Sequence, residues 1–206
     1  ADHPEVIEII KERHDKVNFG GGWHSDMSFL ERPAIASILY AVELPDWGGD
    51  TLFANTAMAY DALSPGMQKL IAHLHGIHFS GGRKLDSTAA DQAHVAEQKK
   101  ISPPVAHPVV RVHPETGRKA IYLGEKVKRF DGMTEDESKP LIEYLNCHST
   151  KPEFVYRHQW RENDIVMWDN RCTLHMALGD FDQNERRHME RTTVVGTPSG
   201  YVVASA

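Results

Sequence analysis

Several shortages in this sequence each exclude a class of protein. Cysteine occurs only twice, as Cys147 and Cys172, too few for a disulfide framework. No apolar run approaches the roughly 18 residues that a membrane-spanning helix needs. The opening ADHPEVIEIIKERH is charged and lacks the apolar core of a signal peptide. Positive charge is outnumbered, with 23 Lys and Arg against 29 Asp and Glu and a formal net charge of -6, so there is no broad electrostatic footprint for nucleic acid or an anionic membrane. Internal repeats are missing too, and the 11 prolines and 15 glycines are scattered along the chain, which disfavours collagen-like and disordered classes. What remains is a globular protein, expected to be cytoplasmic and without nucleic-acid or membrane partners. Its 206 residues suit one domain with a real core. The first residue is not Met, and the start reads as an internal cut.

What is present is mainly strand signal. Residues 35–44 (IASILYAVEL) are apolar and β-branched, bounded by Pro33 and Pro45, and read as a buried strand. The following DWGGDTLFAN reads as a turn into a second strand, a hairpin-like unit. Residues 56–74 carry apolar positions at helical spacing, with Ser64 and Pro65 placed as N-cap and first-turn residues, which predicts a short helix pair. Ser80 to Pro104 is polar and bounded by Gly and Pro, and such a segment is expected to act as a lid. VAHPVVRVH and KAIYL flank PETGR as a hairpin, and TEDESKPLIEYLNCHS starts acidic and continues as an amphipathic helix. FVYRHQW, DIVMWD and ERTTVVG read as strands. Many short strands with few helices point to a closed barrel or a jelly roll.

Thirteen histidines raise the question of metal binding. With 29 acidic residues in the chain, a His followed two places later by Asp or Glu arises readily by chance, so context has to separate such pairs. His3/Glu5 and His113/Glu115 carry Pro in the middle, and the second opens a turn. His24/Asp26 lies in WHSDMSF, which alternates like a strand, and residues i and i+2 of a strand share a face. Two ligands of a two-histidine, one-carboxylate site are then in hand, and His175, just past the strand 164–168, is the candidate third. In ERRHMERTTVVG the same parity puts Arg187, Met189, Arg191, Thr193 and Val195 on one face and Arg186, His188 and Glu190 on the other. Two arginines on an apolar face call for an anion. Arg191 lies some 13 Å beyond Arg187 at about 3.3 Å per residue, which suggests that the two address different ligands.

WHSDMSF, GGDTLFAN, HPVVRVHPETGRKAIYL, KPEF, NDIVMWDNRCTLHMALGDF and RRHMERTTVVG, in this order from about Trp23 to Gly196, resemble the taurine dioxygenase family. That family of iron(II)- and 2-oxoglutarate-dependent enzymes includes the 2,4-dichlorophenoxyacetate and alkylsulfate dioxygenases. The resemblance implies a mainly β fold with flanking helices, the double-stranded β-helix or jelly roll. It implies iron(II) on His24, Asp26 and His175, with Thr51 and Arg187 gripping the distal carboxylate of 2-oxoglutarate, and Arg186 as the competitor for Arg187. Arg191 falls where relatives meet the anionic group of the substrate, and Lys126, in LGEKVKRF, is a second possible contact. The implied reaction consumes 2-oxoglutarate and O2, releases succinate and CO2, and hydroxylates a small organic anion such as a sulfonate, sulfate ester or aryloxy-carboxylate. A homo-oligomer is expected.

Two departures from the family accompany this reading. Its members carry several dozen more residues before the H-x-D segment, so the resemblance implies a missing N-terminal stretch. Lys126 stands where taurine dioxygenases present an aromatic residue, and Gly20 replaces a polar residue, which points away from taurine itself. Two rival readings are a jelly-roll binding protein without turnover, and a zinc hydrolase built on His73, His75 and His78 in HLHGIHF.

Overall fold

The computed structural model describes residues 3–13, 15, 20–80 and 102–203. The expected lid lies almost entirely outside them. Among the described residues thirteen strands follow in chain order: β1 (Ile7–Lys11), β2 (Ala34–Glu43), β3 (Thr51–Asn55), β4 (His75–His78), β5 (Val105–Pro108), β6 (Val110–Val112) and β7 (Lys119–Ile121), then β8 (Val127–Phe130), β9 (Val155–His158), β10 (Ile165–Asp169), β11 (Thr173–Ala177), β12 (Arg187–Val195) and β13 (Tyr201–Val202). Among the described residues three α-helices interrupt them: α1 (Thr56–Asp61), α2 (Pro65–Ile71) and α3 (Glu135–Ser149).

The strands build a double-stranded β-helix, the jelly roll. One sheet has the order β1-β12-β2-β10 and another β11-β3-β9, and the inner faces of these two enclose the pocket described below. Strand β2 lies centrally, antiparallel to both β10 and β12, and its alternate residues Ser37, Leu39 and Ala41 are buried. The expected β2–β3 hairpin does not form. Gly48 and Gly49 have φ of 74° and 68°, and they turn the chain out of the first sheet so that β3 pairs with β9 and β11 in the second. The turn has no room for side chains, since a Cβ on Gly48 would sit 2.6 Å from the Asp180 carbonyl oxygen. Strand β1 is not among the strands expected from the sequence, yet all five of its residues pair with β12.

The helices cover a separate apolar core. Tyr60, Leu63, Ile71, Ile121, Leu123, Phe130, Ile142 and Leu145 are all buried there. Each such side chain contributes roughly 1.5–3 kcal/mol through burial. Ser64 caps α2 through Met67 N–H, as the sequence suggests, and Thr134 and Glu137 form a reciprocal capping box at the start of α3. The PETGR hairpin joins β6 to β7 in register Val110↔Ile121.

Candidate metal centre and its pocket

His24, Asp26 and His175 each offer one ligand atom, and these atoms all lie within 4.8 Å of one another. His175 sits on β11, and its backbone exchanges two hydrogen bonds with His24: the His24 N–H donates to His175 O at 3.0 Å and the His175 N–H to His24 O at 2.9 Å. That bridge is isolated, and the strand expected through WHSDMSF is absent. Beyond His24 the chain turns, with Met27 at φ 52° and Leu30 N–H donating to Met27 O. The turn forms because buried side chains, not a neighbouring strand, hold the Ser25–Asp26 backbone. Asp26 N–H donates to Asn170 Oδ1 at 3.2 Å, and Ser25 Oγ donates to Asn170 O at 2.8 Å. His24 and Asp26 converge all the same, with His24 Nε2 at 3.8 Å from Asp26 Oδ1 and His175 Nε2 at 3.6 Å from Asp26 Oδ2.

The donor set suits a borderline divalent cation. His24 Nδ1 lies 2.7 Å from the Gly22 carbonyl, which can only accept, so Nδ1 carries the proton and Nε2 keeps its lone pair. Burial, with help from His24 and Arg191, pushes His175 down to about 3 and keeps it neutral at ordinary pH, although Asp26 pulls the other way. Burial raises the Asp26 carboxyl, but His175, Arg191, Ser37 and His24 together outweigh it and hold the group below its usual range. Asp26 and His175 are therefore deprotonated, and His24 turns Nε2 toward them, so the three can ligate together.

Beside this cluster lies a pocket lined by His24, Thr51, His175, Arg187 and Arg191, with Trp168 and Leu39 among its apolar walls. Arg187 is buried, and its Nε and Nη2 have no hydrogen-bond partner among the described residues. Burial lowers its pKa to about 10 despite the proximity of Asp50. Arg186 points elsewhere, paired with Glu12 at 3.2 Å and Glu43 at 2.5 Å. A side chain on Gly49 would meet Arg187 Nε at 3.3 Å, so this glycine lets the guanidinium lie against the loop. Thr51 Oγ1 accepts from Trp160 Nε1 at 2.9 Å. Asp50 and Asp180 both bind Arg157, at 2.6 and 2.9 Å, and this exposed arginine ties the glycine turn to the segment that leads into β12.

Arg191 shares the face of Arg187, as the alternation along β12 suggests, but it is not without an acid and does not stand apart from Arg187. It lines the same pocket as Arg187, and its Nη1 donates to Asp26 Oδ1 at 3.1 Å. Reading parity along β12 alone could not reveal an acid supplied by another element. Arg191 Nε is buried and finds no partner among the described residues. Lys126 is not brought to the pocket; its Nζ pairs with Glu125 Oε1 at 3.2 Å. His73, His75 and His78 do not form a metal-ligand group among the described residues, because His75 and His78 lie on β4 and His78 packs between His107 and Tyr122. The sequence reading missed Ser37, Trp160, Trp168 and Asn170. Ser37 had one available signal, a polar residue at an inward position of an otherwise apolar strand.

Comparison with known proteins assigns the chain to a family. A family model described as taurine catabolism dioxygenase TauD, TfdA family matches residues 1–193. The alpha-ketoglutarate-dependent 2,4-dichlorophenoxyacetate dioxygenase of Burkholderia sp. (strain RASC) is 37% identical over 174 residues, which cover 84% of this chain and 58% of that protein. The alpha-ketoglutarate-dependent sulfate ester dioxygenase of Pseudomonas putida is 36% identical over 182 residues, covering 84% and 59%. A crystal structure of AAD-2 in complex with Mn(II) and N-oxalylglycine superposes with a TM-score of 0.76 at 38% identity, covering 86% of this chain and 65% of that one. The chain thus spans about three fifths of the length of the curated relatives it matches.

Proposed function

The chain belongs to the TauD, TfdA family of taurine catabolism dioxygenases, and from that premise we propose that it works as an iron(II)- and 2-oxoglutarate-dependent dioxygenase on a small organic anion. One observation carries this reading: a two-histidine, one-carboxylate cluster shares a pocket with Arg187, a buried guanidinium whose Nε and Nη2 lack partners among the described residues. His24, Asp26 and His175 would hold the iron, and Arg187 with Thr51 the distal carboxylate of 2-oxoglutarate. Iron(II), when bound, supplies the redox chemistry that couples O2-dependent conversion of 2-oxoglutarate into succinate and CO2 to hydroxylation of the substrate.

The protein's own groups bind and orient. Arg187 offers two parallel donors to a carboxylate, a charge-assisted pairing that fixes direction as well as position. Trp160 occupies one acceptor site of the Thr51 hydroxyl and leaves its hydrogen for the cosubstrate. Leu39 and Trp168 wall the pocket with apolar surface, which strengthens these contacts by excluding water. Arg191 spans from Asp26 toward the remaining space and would receive the substrate's carboxylate, sulfonate or sulfate. Relatives named for 2,4-dichlorophenoxyacetate and for sulfate esters support that substrate class. When the hydroxylated carbon bears an ether or sulfate oxygen, the resulting hemiacetal-type product expels it, so the net outcome would be cleavage.

A panel of aryloxy-carboxylates, sulfate esters and sulfonates, incubated with iron(II), 2-oxoglutarate and ascorbate and assayed for succinate, tests this reading. Substrate-stimulated succinate formation is expected from at least one anion. No succinate from any member, with 2-oxoglutarate still bound, would indicate a binding protein without turnover.

A further inference from the structure

We propose that Ser37 and Asn170 are positioning residues that lock the Asp26 carboxylate for the metal; the inference rests on the metal-site reading above. Ser37 is fully buried on β2, at a position in line with Leu39 and Ala41 where an apolar side chain would be expected. A hydroxyl there costs stability unless its hydrogen bonds are made. Asn170, 1% exposed, follows β10. Its Oδ1 receives Trp168 Nε1–H at 3.0 Å and Asp26 N–H at 3.2 Å. Both partners can only donate, which fixes the orientation of the amide. Asn170 Nδ2 must therefore face Ser37 Oγ, to which it donates at 2.9 Å. Since Ser37 has a single hydroxyl hydrogen, that hydrogen goes to Asp26 Oδ2, at 2.7 Å.

Direction thus propagates from an indole N–H, through an amide and a hydroxyl, to one oxygen of the aspartate. Asn170 grips both ends of Asp26: its side chain holds the backbone N–H directly and the carboxylate through Ser37. The torsions between those two points are fixed as the protein folds, and not on metal binding. No strand ladder holds Asp26 at this place, so the network does the work that regular pairing would do elsewhere. Groups that orient a ligating carboxylate typically change metal affinity by 10- to 100-fold when removed.

Cobalt(II) titration of the intact chain, read by its visible d–d bands, tests the proposal with Ser37→Ala, Asn170→Ala and Ser37→Thr, and with Asp26→Ala as reference. Both alanine variants at 37 and 170 are expected to raise the cobalt(II) Kd at least tenfold and to shift the d–d bands at saturation, while Ser37→Thr, which keeps the hydroxyl, stays near the original protein. Band energies unmoved at saturation, with or without a change in Kd, would overturn the proposal, because a merely structural role alters the melting temperature and not the saturated spectrum. Should Ser37→Ala give no cooperative melt, Asn170→Ala carries the same test, since it leaves the hydroxyl in place but undirected. Unchanged cobalt(II) binding in Asp26→Ala would refute the metal-site reading itself. Loss in Asp26→Ala, with Ser37→Ala and Asn170→Ala spectrally unchanged, would refute only the positioning role.

Discussion

His24 and His175, far apart in the chain, exchange a reciprocal pair of backbone hydrogen bonds, and this bridge sets their rings 4.2 Å apart between centroids. The bridge fixes two of three donors through the main chain, so the geometry of the cluster does not depend on side-chain packing alone. Replacing His175 with Ala leaves those backbone bonds possible and removes one donor. The variant should fold with a near-original melting temperature and lose the weak visible band that iron(II) and 2-oxoglutarate form together without oxygen. Retention of that band would remove His175 from the site.

Arg187 and Arg186 provide an internal control for the cosubstrate. Arg187→Ala should raise the apparent KM for 2-oxoglutarate at least tenfold, since a charge-assisted bidentate contact contributes roughly 1.5–3 kcal/mol. Arg186, paired with the exposed Glu12 and the half-buried Glu43 away from the pocket, should leave that KM within about twofold when changed to Ala. The reverse pattern in steady-state kinetics would shift the reading by one residue.

Much of this was legible because chemistry and period coincide. Alternation along β12 separated Arg187 from Arg186, and the helix cap at Ser64 follows from local side-chain hydrogen bonding. What escaped was set by tertiary contact. Strand β1 pairs only because β12 offers an edge. The H-x-D segment turns because Asn170 satisfies its backbone, and the acid facing Arg191 comes from another element. Periodicity within a segment carries no information about partners of that kind.

Acid should weaken the metal-free protein through buried neutral histidines. Burial and Arg111 push His107 down to about 4, and burial, His107 and Arg111 hold His78 well below its ordinary value. The unfolded chain takes up these protons near pH 6.5, whereas the folded state refuses them until lower pH. Stability therefore falls as pH drops below about 6.5, and His107 alone should account for roughly 2 kcal/mol between pH 7 and pH 5. Urea midpoints at the two pH values should differ less in His107→Gln than in the original chain, even though losing the hydrogen bonds to Leu30 O and Ser199 Oγ lowers both. An equal pH dependence in the variant would place the acid sensitivity elsewhere.

Arg191 joins the metal cluster to the substrate. One of its nitrogens, Nη1, is engaged by Asp26, and its buried Nε has no partner among the described residues. A guanidinium so placed is half neutralised by a carboxylate that a metal ion would also claim, so metal binding would leave Arg191 with net positive charge to offer an incoming anion. Anionic substrates should therefore couple succinate formation to product, and neutral isosteres of the same size should not. Arg191→Ala should lower product formed per succinate severalfold with an anionic substrate, a larger effect than on succinate formation itself at saturating iron(II). Arg191→Lys, which keeps the charge but not the fork, should fall between them. The measurement is the ratio of product to succinate in each variant. A neutral substrate turned over with full coupling, and indifferent to Arg191→Ala, would confine this residue to bracing Asp26.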